Sequence, residues 1–324
     1  MANSKYLFLQ ISCFILLLSL SPSYTHNKSH KSTTPPTGFQ ARVDFKGCFN
    51  KVYAFGDSNT DTGNAYYLGA LKSFISDLFS QAWSPYSSLE SSNLSGYRLS
   101  NGRLVIDFLC EALHIPHLSA YKDSSANFST LLGKENAREK MRLHANQSLG
   151  KLSFGLALLD KGAKFLVVQG LPTIGCLPLQ LTTCPSNDRD QNGCSVSANL
   201  VIKGHNDLLQ KRLDEIRMHY KDSMILYIDY YSAFKTILEK HRQYQFKEPF
   251  KACCGSGRGP FNYLSNLLCG DFGTSTCKDS RTHINFDGVH LTKNMHLQLF
   301  DLFYNQGFCT PSFSGLIKKK KGKF

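Results

Sequence analysis

At 324 residues, with 42% apolar and 19% charged side chains, the chain has the size and composition of one large or two small globular domains, which excludes a wholly disordered or fibrous polymer. Its formal net charge of +13 would suit a nucleic-acid binder. Five of those charges, however, are Lys318 to Lys321 and Lys323, and one is Lys5, which leaves +7 in the body and no basic stripe interleaved with aromatics. Nucleic acid is therefore not the expected partner.

In chain order, Lys5, the apolar run Tyr6 to Leu20 and Ser21-Pro22-Ser23 give residues 1–23 the charged, apolar, small-residue pattern of a secretory signal. The apolar run is too short for a stable membrane span, so the expected location is extracellular or in the cell wall. Residues 24–47, with Pro35-Pro36, read as a disordered lead. Residues 48–310 read as one domain, in which Lys51 to Phe55 is a short buried strand. Asn101 to Leu113 is a helix with Leu104, Val105, Phe108, Leu109 and Ala112 on its packed face. Phe165 to Gln169 is a strand stopped by Gly170 and Pro172, and Leu200 to Tyr220 an amphipathic helix with a Leu209, Leu213, Ile216 stripe. Met224 to Ile228 is a third strand and Leu291 to Phe303 a closing helix. Strands alternating with helices predict an α/β fold, with a mostly parallel sheet covered on both faces. Residues 311–324 form a basic tail, read as a solvated, frayed end or as a point of attraction for acidic polysaccharide.

Of eleven cysteines, ten remain once Cys13 leaves with the signal, an even number that suits an oxidising compartment without fixing the pairing. Cys253, Cys254, Cys269 and Cys277 with His283 could make a zinc set, but the secretory setting favours disulfides. Glycosylation triplets stand at Asn27, Asn93, Asn127 and Asn146.

The stretch FGDSNTDTGNA, Phe55 to Ala65, places Ser58 where an apolar run gives way to small and polar residues, the end of a strand at which α/β sheets bind ligands. A serine hydroxyl needs a base, and the base needs an orienting carboxylate. His290 stands three residues after Asp287 across a glycine, so one loop can bring carboxylate and imidazole together. The hydrolase loop G-x-S-x-G is absent, which argues against the α/β-hydrolase fold.

The stretches FGDSNTDTGN, SNGRLVIDF, GAKFLVVQGLPTIGCLP and FDGVHLT, in this order, resemble the plant GDSL esterase/lipases of the SGNH hydrolase superfamily. The resemblance implies a flavodoxin-like three-layer α/β/α sandwich and hydrolysis of a small-molecule or polymer-linked acyl ester through an acyl-enzyme, without metal or organic cofactor. It places the nucleophile on Ser58, the base on His290 and its partner on Asp287, with the N–H groups of Ser58 and Gly102 as the oxyanion hole.

The family's G-x-N-D motif, with its further oxyanion asparagine, is not found. Gly204-His205-Asn206-Asp207 has the letters but falls late, inside the Leu200 to Tyr220 helix. The short interval between Phe128 and Gly162 implies that a block is missing, and with it the central third strand of the sheet. Lys51 to Phe55 must then pair directly with Phe165 to Gln169, or the facing backbone groups go unpaired. Two other readings use the same residues: an inactive, glycosylated wall protein that binds acylated or acidic polysaccharide, and an acyltransferase that hands the acyl group from Ser58 to an alcohol.

Overall fold

The computed structural model describes residues 45–49, 52–64, 98–120 and 150–322, which belong to one unit spanning Arg42–Phe324. The glycosylation candidates Asn27, Asn93, Asn127 and Asn146 lie outside the described residues, as does the predicted signal. The elements run α1 (Val105–Leu113), α2 (Gly150–Asp160), β1 (Phe165–Gln169), α3 (Pro178–Thr183), α4 (Val196–His219), β2 (Met224–Ile228) and α5 (Tyr230–Glu239). After these come β3 (Glu248–Ala252), β4 (Cys254–Gly255), β5 (Ser275–Thr276), β6 (His283–Asn285), α6 (Lys293–Asn305), β7 (Cys309–Thr310) and α7 (Phe313–Lys320).

β1 and β2 pair in parallel, from Phe165 against Met224 to Gln169 against Ile228. Such a pair needs a crossover, here the stretch containing α3 and α4. β7 closes the far side of β2 antiparallel, and β3 with β6 and β4 with β5 form two small sheets. The period of two along β2 sends its side chains to both faces. Leu226 and Ile228 join a core with α1, α5, α6 and α7, while Ile225 and Tyr227 join a second core with Leu159 of α2 and Leu213 and Ile216 of α4. The fold is thus α/β with three layers, and each large side chain fully buried in them contributes roughly 1.5–3 kcal/mol.

Both predicted strands that fall in this sheet occur at the expected residues. Lys51 to Phe55 is a correction: residues 52–56 are irregular, with Tyr53 and Phe55 exposed. Among the described residues β1 therefore pairs only with β2, and Val167 is 38% exposed. The frayed tail is also corrected. Ser312 caps α7 by accepting the Gly315 N–H, and Phe313, Leu316 and Ile317 are buried in the main core. Phe45, assigned to the disordered lead, packs edge-on against Phe313, 5.0 Å between ring centroids.

Three disulfides form: Cys176–Cys194, Cys253–Cys277 and Cys254–Cys269. Cys48, Cys110, Cys184 and Cys309 stay reduced.

Candidate active site

Residues 57–64 form a turn held by its own carboxylates. Asp57 Oδ1 accepts the Asn59 N–H at 3.0 Å, and Asp61 Oδ1 accepts the N–H groups of Gly63 and Asn64 at 3.1 and 2.7 Å. These are the side-chain to backbone bonds that Asp favours in turns. Ser58 sits half-buried within this turn.

The imidazole is positioned from the other end of the chain. β6 leads into the loop Phe286 to Leu291, closed by the Phe286 N–H donating to the His290 carbonyl at 2.8 Å. Asp287 Oδ1 accepts two loop N–H groups, from Val289 at 2.7 Å and His290 at 2.6 Å, and its Oδ2 lies 2.7 Å from His290 Nδ1. Gly288 is required here by close approach, since a Cβ would lie 2.0 Å from the Tyr263 ring. Two disulfides steady the loop's base: the Cys253 and Cys254 N–H groups donate to the carbonyls of Asn285 and Phe286. Thr292 then caps α6, its hydroxyl accepting the Met295 N–H.

Burial would lower the pKa of His290, but the charge and hydrogen bond of Asp287, with a further contribution from Asp57, raise it above the ordinary value. Asp57 likewise raises Tyr230, where burial is the larger cause. Tyr230 follows the carboxyl end of β2, so the charge of Asp57, next to Ser58, is felt both at that end and at the imidazole. No hydrogen bond joins Ser58 to His290 among the described residues, and Nε2 is unengaged.

Gly102 comes to the same place. Ser100 donates to the Leu291 carbonyl at 2.8 Å, and Asn101 accepts the Lys293 N–H at 2.7 Å. This sews the turn to the start of α6, where a Cβ on Gly102 would lie 3.1 Å from Lys293 Cδ. The N–H groups of Ser58 and Gly102 donate to nothing among the described residues.

Several supports were missed in the sequence. Arg98 and Asp107 form a bidentate pair at 2.8 and 2.7 Å, with side chains 2% and 0% exposed, and Asp107 also accepts the Leu104 N–H at the start of α1. An acid three residues after Leu104, the first residue of the predicted packed face, was the available signal. Nearby, His296 is buried with both ring nitrogens unpaired among the described residues, and burial pushes its pKa down to about 3. Asn206 of the G-H-N-D letters lies in α4, where it exchanges hydrogen bonds with the Leu171 N–H and carbonyl at 2.8 and 2.9 Å. It anchors the turn after β1. The zinc alternative fails on chemistry: Cys253, Cys277 and His283 cluster within 4.8 Å, but the two sulfurs are bonded to each other and offer no thiolate.

A family model for GDSL-like lipase/acylhydrolase matches residues 52–153 and 139–303, in two pieces. The chain is 30% identical to GDSL esterase/lipase At3g48460 of Arabidopsis thaliana, over 84% of this chain and 90% of that protein. It is 26% identical to acetylajmalan esterase 2 of Rauvolfia serpentina, over 76% of this chain and 87% of that protein. The first alignment runs over 348 positions although 84% of this chain is about 272 residues, so about 76 positions have no counterpart here. The matched stretches include the Ser58 turn, the Gly102 turn and the Asp287–His290 loop, and on this basis the chain belongs to the GDSL-like lipase/acylhydrolase family.

Proposed function

We propose that this chain is a secreted serine esterase that cleaves acyl esters through an acyl-enzyme on Ser58. The observation that carries the reading is the 2.7 Å Asp287–His290 pair, whose imidazole also feels the carboxylate of Asp57, the residue before Ser58. Asp287 holds the proton on Nδ1, so Nε2 is the basic nitrogen and takes the Ser58 hydroxyl proton as Oγ attacks the ester carbonyl. The uncommitted N–H groups of Ser58 and Gly102 receive the developing oxyanion, each worth roughly 2.7–4 kcal/mol. The same imidazolium then protonates the leaving alcohol, and water attacks the acyl-enzyme in the reverse sequence. The three disulfides support an oxidising, extracellular setting. Among the described residues, no helix is long and apolar enough to cross a membrane.

A second reading, an impaired enzyme, is favoured by the missing Ser58–His290 hydrogen bond, the single pairing of β1 and the unmatched alignment positions. On that reading the absent block holds the third strand and the G-x-N-D asparagine. The two separate on covalent labelling of the folded, secreted chain with a fluorophosphonate and identification of the labelled peptide. Labelling on Ser58 that Ser58→Ala abolishes supports the esterase. A folded chain without label supports the impaired enzyme, and label on another serine overturns the nucleophile assignment.

A further inference from the structure

The amino end of the sheet carries a feature that ester hydrolysis does not use. The loops entering β1 and β2 lie together there: the Met224 N–H donates to the Lys164 carbonyl at 2.7 Å, and the Ser223 hydroxyl to the Ala163 carbonyl at 2.7 Å. They expose Lys161, Lys164 and Lys221. α7 docks on the same end, with Gly315 against Met224 and Lys320 Nζ 5.6 and 5.3 Å from the rings of Phe49 and Phe165. Lys318, Lys319 and Lys321 are exposed on the same helix end, whose Lys320 reaches Phe165, the residue after Lys164. Among the described residues, the acids in or next to these loops are Asp160 and Asp222, and Asp160 is held by the Tyr220 hydroxyl at 2.5 Å.

We propose that this lysine plate is a docking surface for a carboxylated polysaccharide, a polyuronate, which tethers the protein by the end of the sheet remote from Ser58. Three observations support this choice of partner. The charge is set on packed structure through buried Phe313, Leu316 and Ile317, so binding does not require ordering a free tail. A group of exposed ammonium ions complements a polymer carrying one carboxylate per sugar, and strongly hydrated lysines suit salt-dependent, geometry-tolerant attraction. The disulfides support the oxidising, extracellular setting of the proposed function, where uronate polymers rather than nucleic acids would supply the polyanion. The five residues of β1 hold the plate roughly 16 Å from the carboxyl end of the sheet, so a tethered chain keeps the Ser58 side open.

The test is affinity electrophoresis of the full secreted chain in gels containing polygalacturonate, at low salt and at 0.3 M salt. The comparison variant is Lys161→Gln/Lys164→Gln/Lys318→Gln/Lys319→Gln. It keeps Lys320, whose ammonium lies over the Phe49 and Phe165 rings, and preserved folding is checked by an unchanged thermal midpoint. The expected result is retardation that fades at 0.3 M salt, is absent with fully methyl-esterified polymer, and weakens at least tenfold in the variant. Equal retardation of parent and variant overturns the proposal. So does equal binding to the methyl-esterified polymer, or tighter binding to a nucleic acid of the same length at 0.15 M salt.

Discussion

Replacing Asp287 by Asn tests the proposed chemistry with little change in shape. Asp287 Oδ1 serves the Val289 and His290 N–H groups, and the amide oxygen of Asn can keep both bonds, so the loop should hold. The loss falls on the 2.7 Å contact to His290 Nδ1. An amide N–H placed there forces Nδ1 to accept, which moves the ring proton to Nε2 and removes the base. The expected fall in kcat is about 10⁴-fold, equivalent to about 5 kcal/mol of barrier. The pH profile should move as well. In the parent, His290 titrates above its ordinary value, so kcat/KM rises with pH through a limb above about 6.5. Without the carboxylate, burial dominates and the residual activity has its limb below that value. The assay is hydrolysis of p-nitrophenyl acetate from pH 5 to 9, with thermal midpoints recorded for both proteins. A folded Asp287→Asn chain within tenfold of parental kcat, with an unshifted limb, would refute the assignment.

Two predictions concern the supports of the site. Asp107→Asn removes the bidentate carboxylate from buried Arg98 and should cost about 3–5 kcal/mol in urea unfolding, whereas Arg98→Met/Asp107→Leu should cost less than either single change. A double variant as unstable as the sum of the singles would contradict this. His296 binds a proton in the unfolded chain well above the pH at which it does so when folded, so its contribution to stability is complete above about pH 6.5 and is lost as pH falls toward 3. His290 has the opposite sign: its raised pKa stabilises the fold below about pH 6.5 and loses that contribution as pH rises through the folded value. His296→Phe should therefore flatten the acid limb of stability by up to about 1.4 kcal/mol per pH unit, read from urea midpoints at pH 4, 5, 6 and 7. An acid limb unchanged by the substitution would contradict the buried neutral state.

What could be read from the sequence depended on whether the physics was local. β1 and β2 were legible because short β-rich runs, Phe165 to Val168 and Met224 to Ile228, are apolar and are followed closely by Gly170 and Asp229. α4 was legible from one stripe, although its start at Val196 depends on the Ser195 cap accepting from Ala198. Asp287 and His290 were legible together because the bond between them closes within four residues. Arg98 with Asp107, His296 and the Tyr263 ring over Gly288 were not, since burial there is set by partners distant in the chain. The tail misled for a related reason: its lysines dominate the composition, while Phe313, Leu316 and Ile317 decide where it goes.

The Lys51 to Phe55 error shows how the two halves of the site differ. An apolar run becomes a strand only where a neighbour accepts its backbone, and 52–56 has no such neighbour among the described residues. β1 lacks one on the same side, hence the exposure of Val167. The base is overdetermined: Asp287 fixes His290, Gly288 lets Tyr263 pack, two disulfides brace the residues upstream, and α6 is capped directly downstream. The turn of the proposed nucleophile, Ser58, has Asp57 and Asp61 bonds to its own backbone N–H groups. A strand between 52–56 and β1 would draw the Ser58 turn into the sheet and fix its distance from Nε2. The physical consequence of a missing block would therefore be borne by the position of Ser58 and by the smaller contribution of Asp57, while the main support of His290 basicity, the Asp287 charge and hydrogen bond, lies within its own loop.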